Sequence, residues 1–309
     1  MRTSCLLAVL CLPLAGQQVT NYRTDINGRR VADGTTAAVT GGNTTTRMEV
    51  TQSINGRQIP KEIVEERVVS SDATGRVVER VVRRFDQNGN PAQAEKQRIE
   101  EKKNADGSVS SLATVYRQDI NGRFELSERR RTEASKMGDT TTANVQVERP
   151  TLNGSLETVE KQVQVATDGK TAAKADVTTY RKDQTGRFVE SWRSVTDSAD
   201  QNGQRVENQA EYEPGENGRL RLAGQTVSRI RKNTDGTESR EVDIFRNVPG
   251  RAETVAAPAL RERQVIEQRK VGDQLIETTL VQRPTISDPN HLGAPVKIGE
   301  RICTGAKCK

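Results

Sequence analysis

Valine and other β-branched residues alternate with charged and polar ones along most of the chain, in stretches of about twelve residues broken by glycine. From Ser155 to Ala166, Val159, Val163 and Val165 share one parity, and Thr158, Gln162 and Gln164 share the other. A period of two marks an extended strand. The breaks are regular as well. Glycines fall at Gly28, Gly56, Gly89, Gly122, Gly154, Gly186, Gly218 and Gly250, the last five spaced by 32 residues, and a second series between them runs from Gly42 to Gly272.

Most of these glycines follow Asn or Asp, as in Asn55-Gly56, Asn121-Gly122, Asn153-Gly154, Asn202-Gly203 and Asp235-Gly236. Tight hairpin turns need positive φ, which Gly accepts without strain and Asn or Asp tolerates. The eight glycines of the first series are therefore assigned to structural turns, and the chain to an all-β, extended antiparallel meander of about 15 strands with a 32-residue, two-turn repeat. A glycine every 16 residues excludes helices of that length.

Parity then bears on architecture. From Arg76 to Phe85 one face reads Arg76, Val78, Arg80, Val82, Arg84 and the other Val77, Glu79, Val81, Arg83, Phe85. Neither face is dry. A lipid-facing barrel would lose about 2 to 4 kcal/mol for each arginine near the bilayer midplane, and nine aromatic residues are few for its girdles. The pattern predicts a single-layer or thinly covered twisted sheet, with a β-sandwich or β-solenoid as the alternative. Cross-strand pairs worth about 0.2 to 1 kcal/mol each would hold it together. Because 32 is even, equivalent residues share a face in every repeat, so charges such as Arg76, Arg80 and Arg84 can form ladders.

Composition agrees with a thin core: hydrophobic residues make up 32% of the chain and charged ones 29%. The start, Met1-Arg2 followed by an apolar run from Cys5 to Leu14 and then Ala15-Gly16, has the order of a secretory signal. This predicts a signal peptide over 1–16, a β-hairpin repeat region over 17–282 and an irregular tail over 283–309. The location expected is periplasmic, cell-surface or extracellular. No later segment approaches the roughly 20 apolar residues of a spanning helix. Only Cys303 and Cys308 would remain after cleavage, an even pair suited to a disulfide in an oxidising compartment, with free thiols as the alternative.

Tyr116-Arg117-Gln118-Asp119-Ile120-Asn121-Gly122-Arg123-Phe124 and Tyr180-Arg181-Lys182-Asp183-Gln184-Thr185-Gly186-Arg187-Phe188 are 64 residues apart, and Tyr22 to Arg29 repeats most of the motif. This resembles the Tyr/Asp and Gly-Arg punctuation of the YD or Rhs repeat proteins. The resemblance implies an exported or surface β-repeat scaffold without a catalytic role. Read from the residues alone, Tyr and Phe pack beside a turn.

The chemistry-bearing residues point the same way. The single imidazole, His291, excludes multi-histidine metal sites, and no phosphate loop, nucleophile elbow or His-Glu-x-x-His motif is present. Asp86-Gln87-Asn88-Gly89-Asn90 and Asp197 to Gly203 hold fragments of an oxygen-ligand loop without its terminal Glu, so they read as turns whose Asp or Asn bonds its own backbone. No metal or other cofactor is expected. Arg129-Arg130-Arg131 and Arg80, Arg83 and Arg84 could meet a polyanion, but acidic residues interleave throughout and nucleic acid is disfavoured by the scarcity of aromatic platforms. The expectation is an exported, non-catalytic envelope or surface scaffold, spacer or protein-interaction platform, partnered by a protein or envelope component. A carbohydrate-binding or polyanion-binding module, with an anionic glycan as its ligand, is the alternative.

Overall fold

The computed structural model describes residues 18–24, 29–41, 44–169, 171–215, 218–247, 258–285 and 291–304. The alternating stretches form eighteen antiparallel strands, and none of the described residues is helical. The first six are β1 (Gln18–Thr24), β2 (Arg30–Gly41), β3 (Thr45–Ile54), β4 (Arg57–Ser71), β5 (Gly75–Phe85) and β6 (Pro91–Lys103). The middle six are β7 (Val109–Gln118), β8 (Phe124–Met137), β9 (Thr140–Pro150), β10 (Leu156–Asp168), β11 (Ala172–Lys182) and β12 (Phe188–Gln201). The last are β13 (Gln204–Pro214), β14 (Leu220–Lys232), β15 (Glu238–Arg246), β16 (Ala259–Val271), β17 (Gln274–Gln282) and β18 (Val296–Thr304).

Each strand pairs with its chain neighbours, and β1 pairs with β18 from Gln18↔Thr304 to Arg23↔Gly299. The sheet is therefore a closed 18-stranded barrel. This corrects the expectation of an open or thinly covered sheet of about 15 strands, and equally the sandwich and solenoid alternatives. An open sheet leaves two rows of unpaired backbone N–H and C=O groups, and closure pairs them. Closing the ring requires neither lipid nor a dry core, so the midplane arginines count only against a barrel immersed in hydrocarbon. The segment expected as an irregular tail from 283 onward is corrected for the same reason: its residues Val296–Thr304 form the closing strand.

Curvature has a local source at one end. The hairpins β1–β2, β3–β4 and so on to β17–β18 turn at the end that carries Gly56, Gly89, Gly122, Gly154, Gly186 and Gly218. Every one of them has a register shift there, leaving one extra residue on its second strand. Ser127, Val159, Ser191 and Ala223 are four such residues, spaced by 32. A bulge bends its strand and increases the local twist. The opposite end has a single shift, at Val69 in β4.

The barrel is hollow. Eighteen strands about 4.8 Å apart and tilted by roughly 40° make a wall about 35 Å across. Contacts between strands run almost wholly between sheet neighbours. Among the described residues the buried apolar cluster is small: Met48, Val64 and Val82, with Val50 against them.

Candidate functional site: walls and rims of the barrel

On β5 the alternation places Val78, Arg80 and Val82 on a buried face, with Glu79 and Arg83 exposed on the other. A concavity of about 330 Å³ on the first face spans β4 to β8 and is bounded by Glu66, Arg80, Glu95, Arg117, Glu128 and Arg130. A convex wall cannot form a hollow five strands wide, so this face is the inner one.

The inner wall carries a ladder of ion pairs in step with the repeat. Arg84 donates to Glu62 at 3.1 Å, Arg117 to Glu95 at 3.2 Å, Arg149 to Glu128 at 3.1 Å and Arg181 to Glu160 at 2.9 Å. Successive glutamates and successive arginines lie 32 or 33 residues apart, and Arg283 repeats the pairing on Glu262 at 2.6 Å. Between them Arg80 donates twice to Glu66, at 2.6 and 3.0 Å. A hydrogen bond from Gln264, opposed by burial and assisted by Arg283, holds the Glu262 carboxyl below its ordinary range. Apart from the buried Arg80, the arginines are about half solvated or more, so each of their pairs is worth at most about 1 kcal/mol, and the ladder serves mainly to keep register.

The outer wall is charged at mid-height too. Arg98 spans Glu79 at 3.1 Å and Glu100 at 2.8 Å, all three about half exposed. Arg193 forms a forked pair with Asp176 at 2.6 and 3.0 Å. Arg229 and Arg263 converge on Asp243, which is only 3% exposed. Burial alone would raise the Asp243 pKa, but the hydrogen bonds from Arg263 and Arg229 outweigh it and hold the carboxyl below its ordinary range.

The two rims differ. Every aromatic residue of the chain lies toward the bulged rim. Tyr22, Phe85, Tyr116, Tyr180, Tyr212 and Phe245 each stand on the first strand of a hairpin directly after its register shift. Phe124 and Phe188 follow the turns and complete an outward set of eight Tyr and Phe rings, whereas Trp192, opposite Thr179 and in step with Glu128 and Glu160, is on the inner wall. Cations cover three rings: Arg30 lies 3.6 Å from the Tyr22 centroid, Lys96 4.0 Å from Phe124 and Lys161 4.5 Å from Phe188. Such contacts add about 0.5 to 1 kcal/mol at exposed sites. The shared face of each cation and ring puts this collar on the outer wall.

The turn residues read from sequence are found at this rim. Gly56, Gly89, Gly122, Gly154, Gly186 and Gly218 have φ between 72° and 83°, whereas Gly28 and Gly250 lie outside the described residues. At Asn55-Gly56 both residues have positive φ, the two-residue primed turn. Elsewhere a three-residue loop recurs: the Gly89 N–H donates to the Asp86 carbonyl at 3.1 Å, and Asp86 N–H to the Asn90 carbonyl at 2.9 Å. The Asp86 carboxylate also accepts from the Asn90 and Asn88 N–H groups, and these bonds hold its pKa down. Asp183 does the same with Thr185 and Arg187. At Asp86 to Asn90 the oxygens that suggested a cation loop are occupied by their own turn, whereas the second candidate is corrected: Asp197 and Asp200 lie within β12, where Asp197 is 4.0 Å from Lys174.

The basic clusters are dispersed by pairing. Arg83 meets Glu65 at 2.8 Å on the outer wall, while Arg80 and Arg84 are paired on the inner one. Arg129 and Arg131 share a face opposite Arg130, which lies 3.9 Å from Glu128. Cys303 is disulfide-bonded. Cys308 and the stretch Met1 to Gly16 lie outside the described residues. What the sequence reading missed is the collar itself, although Tyr116, Tyr180 and Tyr212 are in register with the repeat and mark it.

No family model matches the sequence, and no curated protein does. Among solved structures the chain is similar to OmpT, an outer membrane protein of Vibrio cholerae folded in vitro and in trimer form. The TM-score is 0.34 at 7% identity, covering 93% of this chain and 96% of that one. It is also similar to a protein of unknown function from Bacteroides fragilis, with a TM-score of 0.17 at 13% identity over 68% of this chain and 91% of that one. Scores this low carry no inference about function.

Proposed function

We propose that the chain is an exported, non-catalytic β-barrel that acts as an envelope or surface scaffold, with water on both sides of its wall. The observation that supports this reading is the charge at mid-height on both faces: Arg98, Glu79 and Asp176 outside, Arg80, Glu66 and Arg130 inside. A barrel immersed in lipid would have to bury one of these sets, at about 2 to 4 kcal/mol for each arginine near the midplane. The inner wall engages its acids with arginines in a repeating structural ladder, which favours a supporting role over turnover. Export rests on the basic, apolar and small-residue order of Met1 to Gly16.

The test is solubility without detergent. The chain should stay monodisperse in buffer, and small-angle scattering should give the profile of a hollow cylinder about 35 Å across. Aggregation that only detergent or lipid relieves would overturn the reading in favour of an embedded barrel.

A further inference from the structure

We propose that the aromatic rim docks on the surface of an anionic phospholipid bilayer, with the barrel standing upright on it. The inference goes beyond the scaffold reading, because it needs the rim's geometry but neither export nor a structural role.

Three observations meet at this end. The first is the aromatic collar, eight outward rings on β1 and between β5 and β15, which has no counterpart at the other rim. Amphipathic rings are favoured at the headgroup level of a bilayer. The second is a set of bare apolar side chains projecting past the collar. Ile120 and Leu152 are fully exposed at the tips of equivalent three-residue turns. The third is charge. Among the described residues of this rim cations outnumber carboxylates, with Arg30, Arg57, Lys61, Arg123, Arg187 and Arg283 among them. Asp86, Asp119 and Asp183 spend their oxygens on their own turns. At the other rim the charges nearly balance.

Height decides the mode of contact. The apolar tips extend past the rings by about one turn, enough to enter the headgroup region, while the charged wall above them stays in water. Each cation near an anionic surface adds about 1 kcal/mol within a Debye length, and the inserted tips add apolar burial. A soluble polyanion would use the cations but gain little from Ile120 and Leu152. The bilayer is therefore the favoured occupant.

The full chain is floated with vesicles of phosphatidylglycerol and phosphatidylcholine, and separately with pure phosphatidylcholine, at low and high salt. Expected are binding to the anionic vesicles alone and weakening of that binding with salt. The double variant Ile120→Asp/Leu152→Asp should bind at least about tenfold more weakly, while Met137→Asp, at an exposed tip of the opposite rim, should bind as the parent does. Circular dichroism verifies that both variants are folded. Absence of binding to anionic vesicles overturns the proposal, as does equal loss in the two variants. Retained binding in the double variant, with full competition by a soluble anionic glycan, overturns it in favour of a polyanion site. Failure of the solubility test would leave these outcomes readable, since they compare one rim with the other.

Discussion

The two rims of the barrel are built from the same repeat and joined by the same strands, yet only one is bulged at every hairpin and aromatic. At the aromatic rim each hairpin adds a residue to its second strand, and six of the nine carry a ring immediately across from it. At the opposite rim Gln201 pairs with Gln204 around Asn202-Gly203, Met137 with Thr140 around Gly138-Asp139, and Val271 with Gln274 around Gly272-Asp273, with no insertion. Bending is therefore concentrated at one end. In six hairpins a ring stands across from the bulge, so curvature and aromatic content coincide at one end.

The strongest way to break this comparison is to remove a bulge. Deleting Ser191 would join Glu190, opposite Tyr180, directly to Trp192, opposite Thr179, so the pairing becomes continuous and Phe188 keeps its outward place opposite Lys182, but the bend beside the Tyr180 ring is lost. A loss of about 2 to 4 kcal/mol is expected, read by denaturant unfolding. Deletion of Val69, the single insertion at the other rim, removes a bend beside no ring and should cost about half as much. Equal losses would show that the rims do not differ in this respect.

A smaller effect sharpens what the rims share. Gly154 at the aromatic rim and Gly203 at the other have φ of 78° and 76°, and no atom lies within 4 Å of a Cβ at either. Replacement by Val is therefore a backbone effect alone, about 1 to 3 kcal/mol at both sites. Hydrogen exchange should quicken in the two strands flanking each substituted turn and stay slow across the barrel. Uniform loss of protection would mean that the ring unfolds as one unit.

The smallest expected effect is of pH, and it too is common to both rims. Asp86 and Asp183 at one, and Asp72, Asp106 and Asp235 at the other, are held below the ordinary carboxylate range by bonds within their turns. For Asp86 the Asn90 backbone N–H leads; for the other four the lead belongs to a side-chain hydroxyl, from Thr185, Thr74, Ser108 and Thr237. A carboxyl with a depressed folded pKa stabilises the fold at any pH above its unfolded value, near 4. That contribution is lost as pH falls below 4 through the folded value. The melting temperature should hold between pH 8 and 5 and decline below pH 4. A decline already complete at pH 5 would point to other groups.

Much of this molecule was legible in its residues. Strands, parity and the 32-residue period followed from Val and Gly positions, and the even repeat pointed to charge ladders such as Glu95–Arg117 and Glu128–Arg149. Closure was not legible, because the pairing of Gln18 with Thr304 has no local pattern and Val296–Thr304 lacks a turn glycine in register before it. The bulges were hidden for a different reason. One extra residue on every second strand, such as Ser127 or Ser191, is absorbed into the period and leaves the spacing of 32 intact. The rings beside them were visible only as an isolated motif, since placing them on one collar requires the register.

The seam between β1 and β18 sets an order of events. Every other pairing joins strands that follow each other in the chain and can form within microseconds of their emergence, whereas the seam joins residues nearly a whole chain apart. Bringing those ends together has an entropic cost on the order of 5 kcal/mol for a loop of this length, and only the short register from Gln18 to Arg23 offsets it directly. The meander should therefore assemble from hairpins first, with the ring latching last. Until residue 304 has been synthesised, the nascent chain is a curved ribbon with two sticky edges, the form in which it is most exposed to pairing with a second copy.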